Sequence, residues 1–188
     1  MDLQDQALGK SQWWRRGLIL GPVAVSAVLT LFSAAHPGGN FPLILVAAPI
    51  WLLSGLIWIS LLMTRGSAYR RSPWIIATPL VGVLTLVLAN SPLPMRVAFL
   101  ISEAALSNYA QSLPEQEGVS FKDQRAGLFT IATAQRWKGI TQLGVADTGG
   151  MLTECGFAHV PSGRVKDLDV SSADHLTGDW YATCTDYD

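Results

Sequence analysis

Two kinds of pattern divide the chain. Residues 17–35, 41–63 and 74–90 are apolar runs without a single Asp, Glu, Lys, Arg or His. Each is close to the ~20 residues with which a helix crosses the hydrocarbon core of a bilayer, so the pattern predicts three transmembrane helices. Ser91-Pro92-Leu93-Pro94 breaks the third run, because proline cannot continue a helix and pushes its predecessor toward extended geometry. A helical stripe follows over residues 95–113, with Val97, Phe99, Leu100, Ala104, Leu106, Tyr109, Ala110 and Leu113 as its apolar positions. From Gly118 the pattern turns to strands: a β-prone run at Leu128, Phe129, Ile131 and Thr133, then residues 139–145. Asp147-Thr148-Gly149-Gly150 marks a turn, residues 151–160 its partner strand, Pro161-Ser162-Gly163 a second turn, 164–173 a polar loop and 179–185 a last strand. The predicted fold class is a membrane protein: three transmembrane α-helices followed by a small α+β domain, one helix on an antiparallel sheet of about four or five strands.

The polar residues inside the runs carry little chemistry. Ser26, Thr30, Ser54, Ser60, Thr78 and Thr85 can bond back to their own helix carbonyls. Intramembrane ionisable groups mark ion and proton paths, and the runs hold none, which disfavours transport. Pro22, Pro49 and Pro79 predict kinks. Gly17 and Gly21 form a GxxxG pair that permits close helix approach, a pattern also frequent by chance in Gly-rich spans. Trp51, near mid-span and seven residues from Trp58, fits either packing on another helix or a lipid-facing ring.

Charge orients the spans. Lys10, Arg15 and Arg16 precede the first run, and Arg65, Arg70 and Arg71 lie between the second and third. The loop His36-Pro37-Gly38-Gly39-Asn40 has no Lys or Arg, and His36 there reads as a solvated residue. Because positive residues stay on the cytoplasmic side, the N-terminus is expected inside and the C-terminal domain outside. Trp13, Trp14, Trp58 and Trp74 fall near the cytoplasmic edges, where indole rings favour the headgroup level. The expected organisation is a cytoplasmic N-terminus (1–16), a three-helix transmembrane region (17–91) and an extracytoplasmic α+β domain (92–188). A cleaved signal peptide ending near Ser33-Ala34-Ala35 competes with the first span, but the run exceeds the usual 7–15-residue apolar region.

Composition sharpens the division. The chain is 49% hydrophobic and 14% charged, against roughly 25% charged in soluble domains. Residues 1–91 carry a net charge of +4 and residues 92–188 one of −5. An acidic second half without a Lys/Arg cluster is a poor nucleic-acid binder. The two cysteines of the chain, Cys155 and Cys184, fall in predicted strands of the outer domain, where an oxidising compartment favours a disulfide. Closing that loop would stabilise by roughly 3 kcal/mol in the chain-entropy treatment. Free thiols, or a metal site completed by His159 and His175, are the alternatives, the latter without CxxC or HxxxH spacing.

Catalytic patterns are few. The sequence contains no G-x-S-x-G, Walker loop, G-x-G-x-x-G or HExxH. Asp167 with Asp169, Asp186 with Asp188, and His159 or His175 with Asp174 and Ser162 are combinations of common residues that read first as solvation. Trp180 and Tyr181 read as core and edge aromatics rather than a ligand platform. No catalytic, cofactor-binding or metal residue is assigned, and no cofactor is expected.

Three segments carry a resemblance: Arg96-Val97-Ala98-Phe99-Leu100-Ile101-Ser102, then Cys155-Gly156-Phe157-Ala158-His159-Val160-Pro161-Ser162-Gly163, then His175-Leu176-Thr177-Gly178-Asp179-Trp180-Tyr181. Over residues 92–188 the chain resembles uncharacterised small actinobacterial multi-pass membrane proteins with a C-terminal extracytoplasmic α+β domain. His159 stands where that pattern favours Tyr. The resemblance implies architecture and no activity. The sequence therefore predicts an integral protein of the bacterial cell membrane presenting an extracytoplasmic interaction domain, with the lipid bilayer, an envelope protein or a second copy as partners. The alternative is an extracytoplasmic sensor or ligand-binding subunit, whose short cytoplasmic parts would require a membrane partner for signalling.

Overall fold

A computed structural model describes residues 20–64, 74–150, 152–161, 163 and 165–187. The chain divides into two compact units, one of Met1–Leu31 with Leu43–Asn90, the other of Phe32–Pro42 with Ser91–Asp188. The second unit resumes at Ser91, after the helices of the first. The short loop between the first two runs, however, belongs with the second unit rather than with the helices that flank it. The orienting residues Arg15, Arg16, Arg65, Arg70 and Arg71 lie outside the described residues, as do Trp13, Trp14 and Gly17.

The first unit is built of α1 (Leu20–Ala34), α2 (Phe41–Thr64) and α3 (Trp74–Ala89). Of the described helices, α2 alone is long and apolar enough to cross a membrane, with a mean hydropathy of 2.2 over its most apolar window. The described part of α1 is shorter, and α3 qualifies only together with the helix that follows it. Three separate full-length spans are thus not what the described residues display. Trp51 settles between its two readings: its Nε1 donates to Thr30 Oγ1 of α1 at 3.0 Å. A Cβ added to Gly82 of α3 would meet the same ring at 3.6 Å, so all three helices meet at this indole. The expected back-bonding is present at Ser26 (to Pro22 O, 2.9 Å), Thr30 (to Ser26 O, 2.8 Å) and Ser54 (to Ile50 O, 2.7 Å). Thr78 departs from it, since its Oγ1 is buried without a hydrogen-bond partner. Gly21 has open space around its Cα and gives no close helix contact.

The second unit is one helix on one sheet. Helix α4 (Leu93–Ser112) starts two residues earlier than its periodicity suggests, because Pro94 is tolerated in a first turn where amide hydrogens lack partners anyway. Six strands follow: β1 (Gln116–Ala126), β2 (Phe129–Trp137), β3 (Ile140–Val145), β4 (Thr153–His159), β5 (Ser172–Thr177) and β6 (Trp180–Asp186). All pair antiparallel in the order β1-β2-β3-β4-β6-β5. Six strands exceed the expected four or five, and β1 and β5 are the outermost.

Register assigns the faces, because neighbouring rows of a pleated sheet point opposite ways. The row Leu143, Phe157 and Ala182 faces α4, and the next row, Gly144, Gly156 and Thr183, faces away. The core lies between helix and sheet, where Phe99, Leu106, Phe129, Ile131, Leu143, Phe157 and Trp180 are buried. The buried side of α4 is Ala98, Phe99, Ser102, Leu106, Tyr109 and Ala110, whereas Val97, Leu100 and Ala104 are exposed. The expected stripe thus combines a buried and an exposed face of the helix. On the far face a smaller cluster of Ala158, Val160 and Leu168 lies under a 3-10 turn, Val165–Asp167.

Candidate functional site

Between β4 and β6 the register sets Cys155 opposite Cys184, and the two are joined with Sγ–Sγ 2.05 Å. Over this bond lies the strap, residues Phe32–Pro42. Its turn is closed by Ser33, whose Oγ donates to Asn40 O and accepts from Asn40 N, both at 2.9 Å. Asn40 bridges to Thr148, Gly149 N donates to Gly39 O at 3.1 Å, and Phe41 N donates to Asp147 O at 3.3 Å. Gly38, at φ +66°, is where the strap approaches the disulfide most closely: an added Cβ would collide with Cys155 Sγ.

His36 corrects the expectation of a solvated loop residue. It is 9% exposed, with Nδ1 3.0 Å from Phe32 O and its ring edge-on to Phe129 at 5.5 Å. From there an aromatic row crosses the domain, Phe129 to Phe157 at 4.8 Å, Phe157 to Phe99 at 5.4 Å, and Phe99 to Trp180 at 5.7 Å. Edge-on and tilted ring pairs of this kind add about 0.5–1.5 kcal/mol each beyond their buried area. The strap is thereby part of the second unit's core, not a linker.

The face of the sheet away from α4 carries the concave surface. A groove of ≈ 400 Å³ runs over Gly144 and Gly156, which supply a floor without side chains. Thr133, Gln135 and Gln142 stand on one side, Thr183, Thr185 and Asp169 on the other. Glu154 closes one end: its Oε1 accepts from Thr133 Oγ1 at 2.8 Å and its Oε2 from Tyr187 Oη at 2.9 Å. The donated hydrogen bond, together with the carboxylate's repulsion of a nascent phenolate and some burial, raises the Tyr187 pKa above the ordinary tyrosine value. Beyond the Glu154–Tyr187 pair a second concavity of ≈ 450 Å³ lies between β4 and Phe41 and Pro42 of the strap. A carboxylate fixed by two hydroxyl donors, flanked by threonine and glutamine, suits neutral polyhydroxylated or cationic groups rather than anions.

The residues singled out from sequence are dispersed. His159 pairs with Trp180 in the row facing α4, its ring 4.9 Å from the indole. His175 pairs with Tyr181 in a row facing away and lies with Nε2 2.9 Å from Gly178 O. The two histidines occupy opposite faces and do not converge. Asp186 accepts from Thr153 at 2.8 Å, while Ser162 and Asp188, and the side chain of Asp167, lie outside the described residues. Among the described residues no three His, Cys, Asp or Glu side chains gather as a metal site. Trp180 is core, as its strand position suggested. Glu154 was not singled out, since one carboxylate in a strand carries no signal until the register sets Thr133 near it; Tyr187 lay beyond the last predicted strand. Compared with protein-family models, curated proteins and solved structures, the chain gives no match.

Proposed function

We propose that the protein is an integral membrane protein whose apolar segments 17–35, 41–63 and 74–90 anchor an extracytoplasmic interaction domain, with the N-terminus in the cytoplasm. The observation that carries this is the exposure of α2: 11% of its apolar window is buried, and Leu45, Leu52, Leu53 and Leu56 lie open on several sides. A helix of that hydropathy so little covered by protein finds its cover in lipid. The basic clusters set the orientation, and the disulfide fits an oxidising compartment. It is also the architecture that the resemblance over residues 92–188 implies. In a bacterial host the full chain should resist alkaline carbonate extraction from membranes. Protease added to intact spheroplasts should remove the sheet domain. Release by carbonate, or protection of the domain in intact spheroplasts, overturns the proposal.

A second reading, a ligand-binding subunit, is favoured by the groove. Polyols, sugars and organic cations added to the detergent-solubilised chain should then raise its unfolding temperature, and Glu154→Gln should abolish the rise. No shift with any of these classes rejects it.

A further inference from the structure

Helix α4 has two apolar faces. One, centred on Phe99, Ser102 and Leu106, is buried on the sheet. The other, about half a turn around, holds Leu93, Val97, Leu100 and Ile101, which are 55%, 54%, 59% and 67% exposed. Along that outer face the character changes with distance from the helix start: Leu93, Val97, Leu100, Ile101 and Ala104 give way to Asn108 and Gln111. A stripe intended for water would not begin with four large aliphatic residues, and one intended for a protein partner has no reason to fade along a single direction.

The residues before the helix supply the reason. α4 follows α3 after only Asn90-Ser91-Pro92. α3 has 16 residues, about 24 Å at 1.5 Å per residue, short of the ~30 Å hydrocarbon thickness. It passes as a span only as one half of a bent helix pair with α4. Arg96 flanks the outer stripe and is exposed, and its long side chain can reach headgroup phosphates while its methylenes stay among acyl chains.

We infer that the first turns of α4 are immersed in the outer leaflet, so that Leu93, Val97, Leu100 and Ile101 face lipid while the opposite side of the same turns holds the sheet. The occupant of this face is the bilayer itself. The outer domain then begins within the membrane interface rather than beyond it, and α4 carries out two tasks: completing the third span and founding the core. The inference rests on the membrane anchoring proposed above.

The test is site-directed spin labelling of the full chain in phospholipid nanodiscs. Both native cysteines are in the disulfide, so single cysteines introduced at Val97, Leu100, Ile101 and Asn108 label specifically. Oxygen, concentrated in lipid, should relax labels at 97, 100 and 101 more than a water-soluble nickel chelate does, and the order should reverse at 108. Labels at Leu53 and Leu84, exposed on α2 and α3, separate the two claims. Lipid contact there with chelate contact at 97–101 overturns the inference and leaves the anchoring intact; chelate contact at Leu53 and Leu84 overturns the anchoring. Low accessibility to both relaxants at 97–101 means that protein, such as a second copy, covers the face, and also overturns it. As a check free of substitutions, a photoactivatable phospholipid should crosslink the unaltered chain within residues 93–104; adducts confined to the three apolar segments count against it.

Discussion

Tyr187 and Glu154 meet at the rim of the groove, and their hydrogen bond makes the phenol sensitive to the carboxylate. The folded-state pKa is raised above the ordinary value near 10. For such a group the stabilisation is complete below the unfolded pKa and disappears as pH rises through the raised folded value. The contribution of the raised Tyr187 pKa is therefore present at neutral pH and is lost as the phenol ionises under alkaline conditions. Following the Tyr187 ring carbons by NMR should give a midpoint above 10, and Glu154→Gln should bring it down. An unchanged midpoint in that variant would show that the contact is not made in solution. Gly127 tests a different kind of dependence. At φ +65° it turns the chain from β1 to β2, and an added Cβ would lie 2.6 Å from both Cβ and Oγ of Ser102 on α4. Ser102 Oγ accepts from Leu128 N at 3.0 Å, so helix and turn are fitted at this point. Gly127→Ala should destabilise by roughly 1–3 kcal/mol through positive φ and overlap combined. Ser102→Ala, which loses one hydrogen bond, should cost about 1 kcal/mol. Denaturant unfolding measures both, and the reverse order would refute this account of the contact.

At the level of elements, what was legible followed burial. β2, β3, β4 and β6 pack at least one face on the core, and their apolar residues announced them. β1 and β5 are harder to read: each is an edge strand and gives the core few residues, such as Ala126 of β1 and Leu176 of β5. Asp123 and Arg125 on β1, and Asp174 and His175 on β5, lie among polar neighbours with no alternation to detect. Charged outer strands of this sort also discourage edge-to-edge association. α4 reads as a helix but with a blurred face, since a period of 3.6 cannot separate a buried apolar stripe from an exposed one on the same helix. The strap was missed for another reason: Pro37, Gly38 and Gly39 read as a turn, and nothing in five residues discloses a distant docking site. Gly38 gives that docking a direct test. Gly38→Ala should lift the strap from the disulfide and hasten hydrogen exchange at the amides of Phe41 and Gly149, which bond across the contact. Amides of β3 and β4 beyond it should keep their protection. Unchanged exchange at Phe41 and Gly149 would mean that the strap docks without the clearance a glycine provides.

For the molecule as a whole, the strap ties the second unit to a distant part of the sequence. A tethered module ordinarily folds by itself and borrows only a position from its anchor. Here the second unit includes residues 32–42, sequence-distant from Ser91–Asp188 and joined to it through two helices of the first unit. Without the strap, Phe129 loses the His36 ring, Ala35 leaves the core, and Thr148 loses its bridge to Asn40. The disulfide, lying where Gly38 would no longer cover it, becomes open to reductants. Residues 91–188 expressed alone should therefore unfold at lower temperature than the same residues carrying 32–42 on a flexible N-terminal linker, and should bind more of a hydrophobic dye. Cys155–Cys184 should also be reduced faster in the shorter form. Equal unfolding temperatures and equal reduction rates would show that the strap only rests on the domain. A difference would mean that the second unit is completed only when residues 32–42 dock on it, so that its folding depends on a segment far away in the sequence.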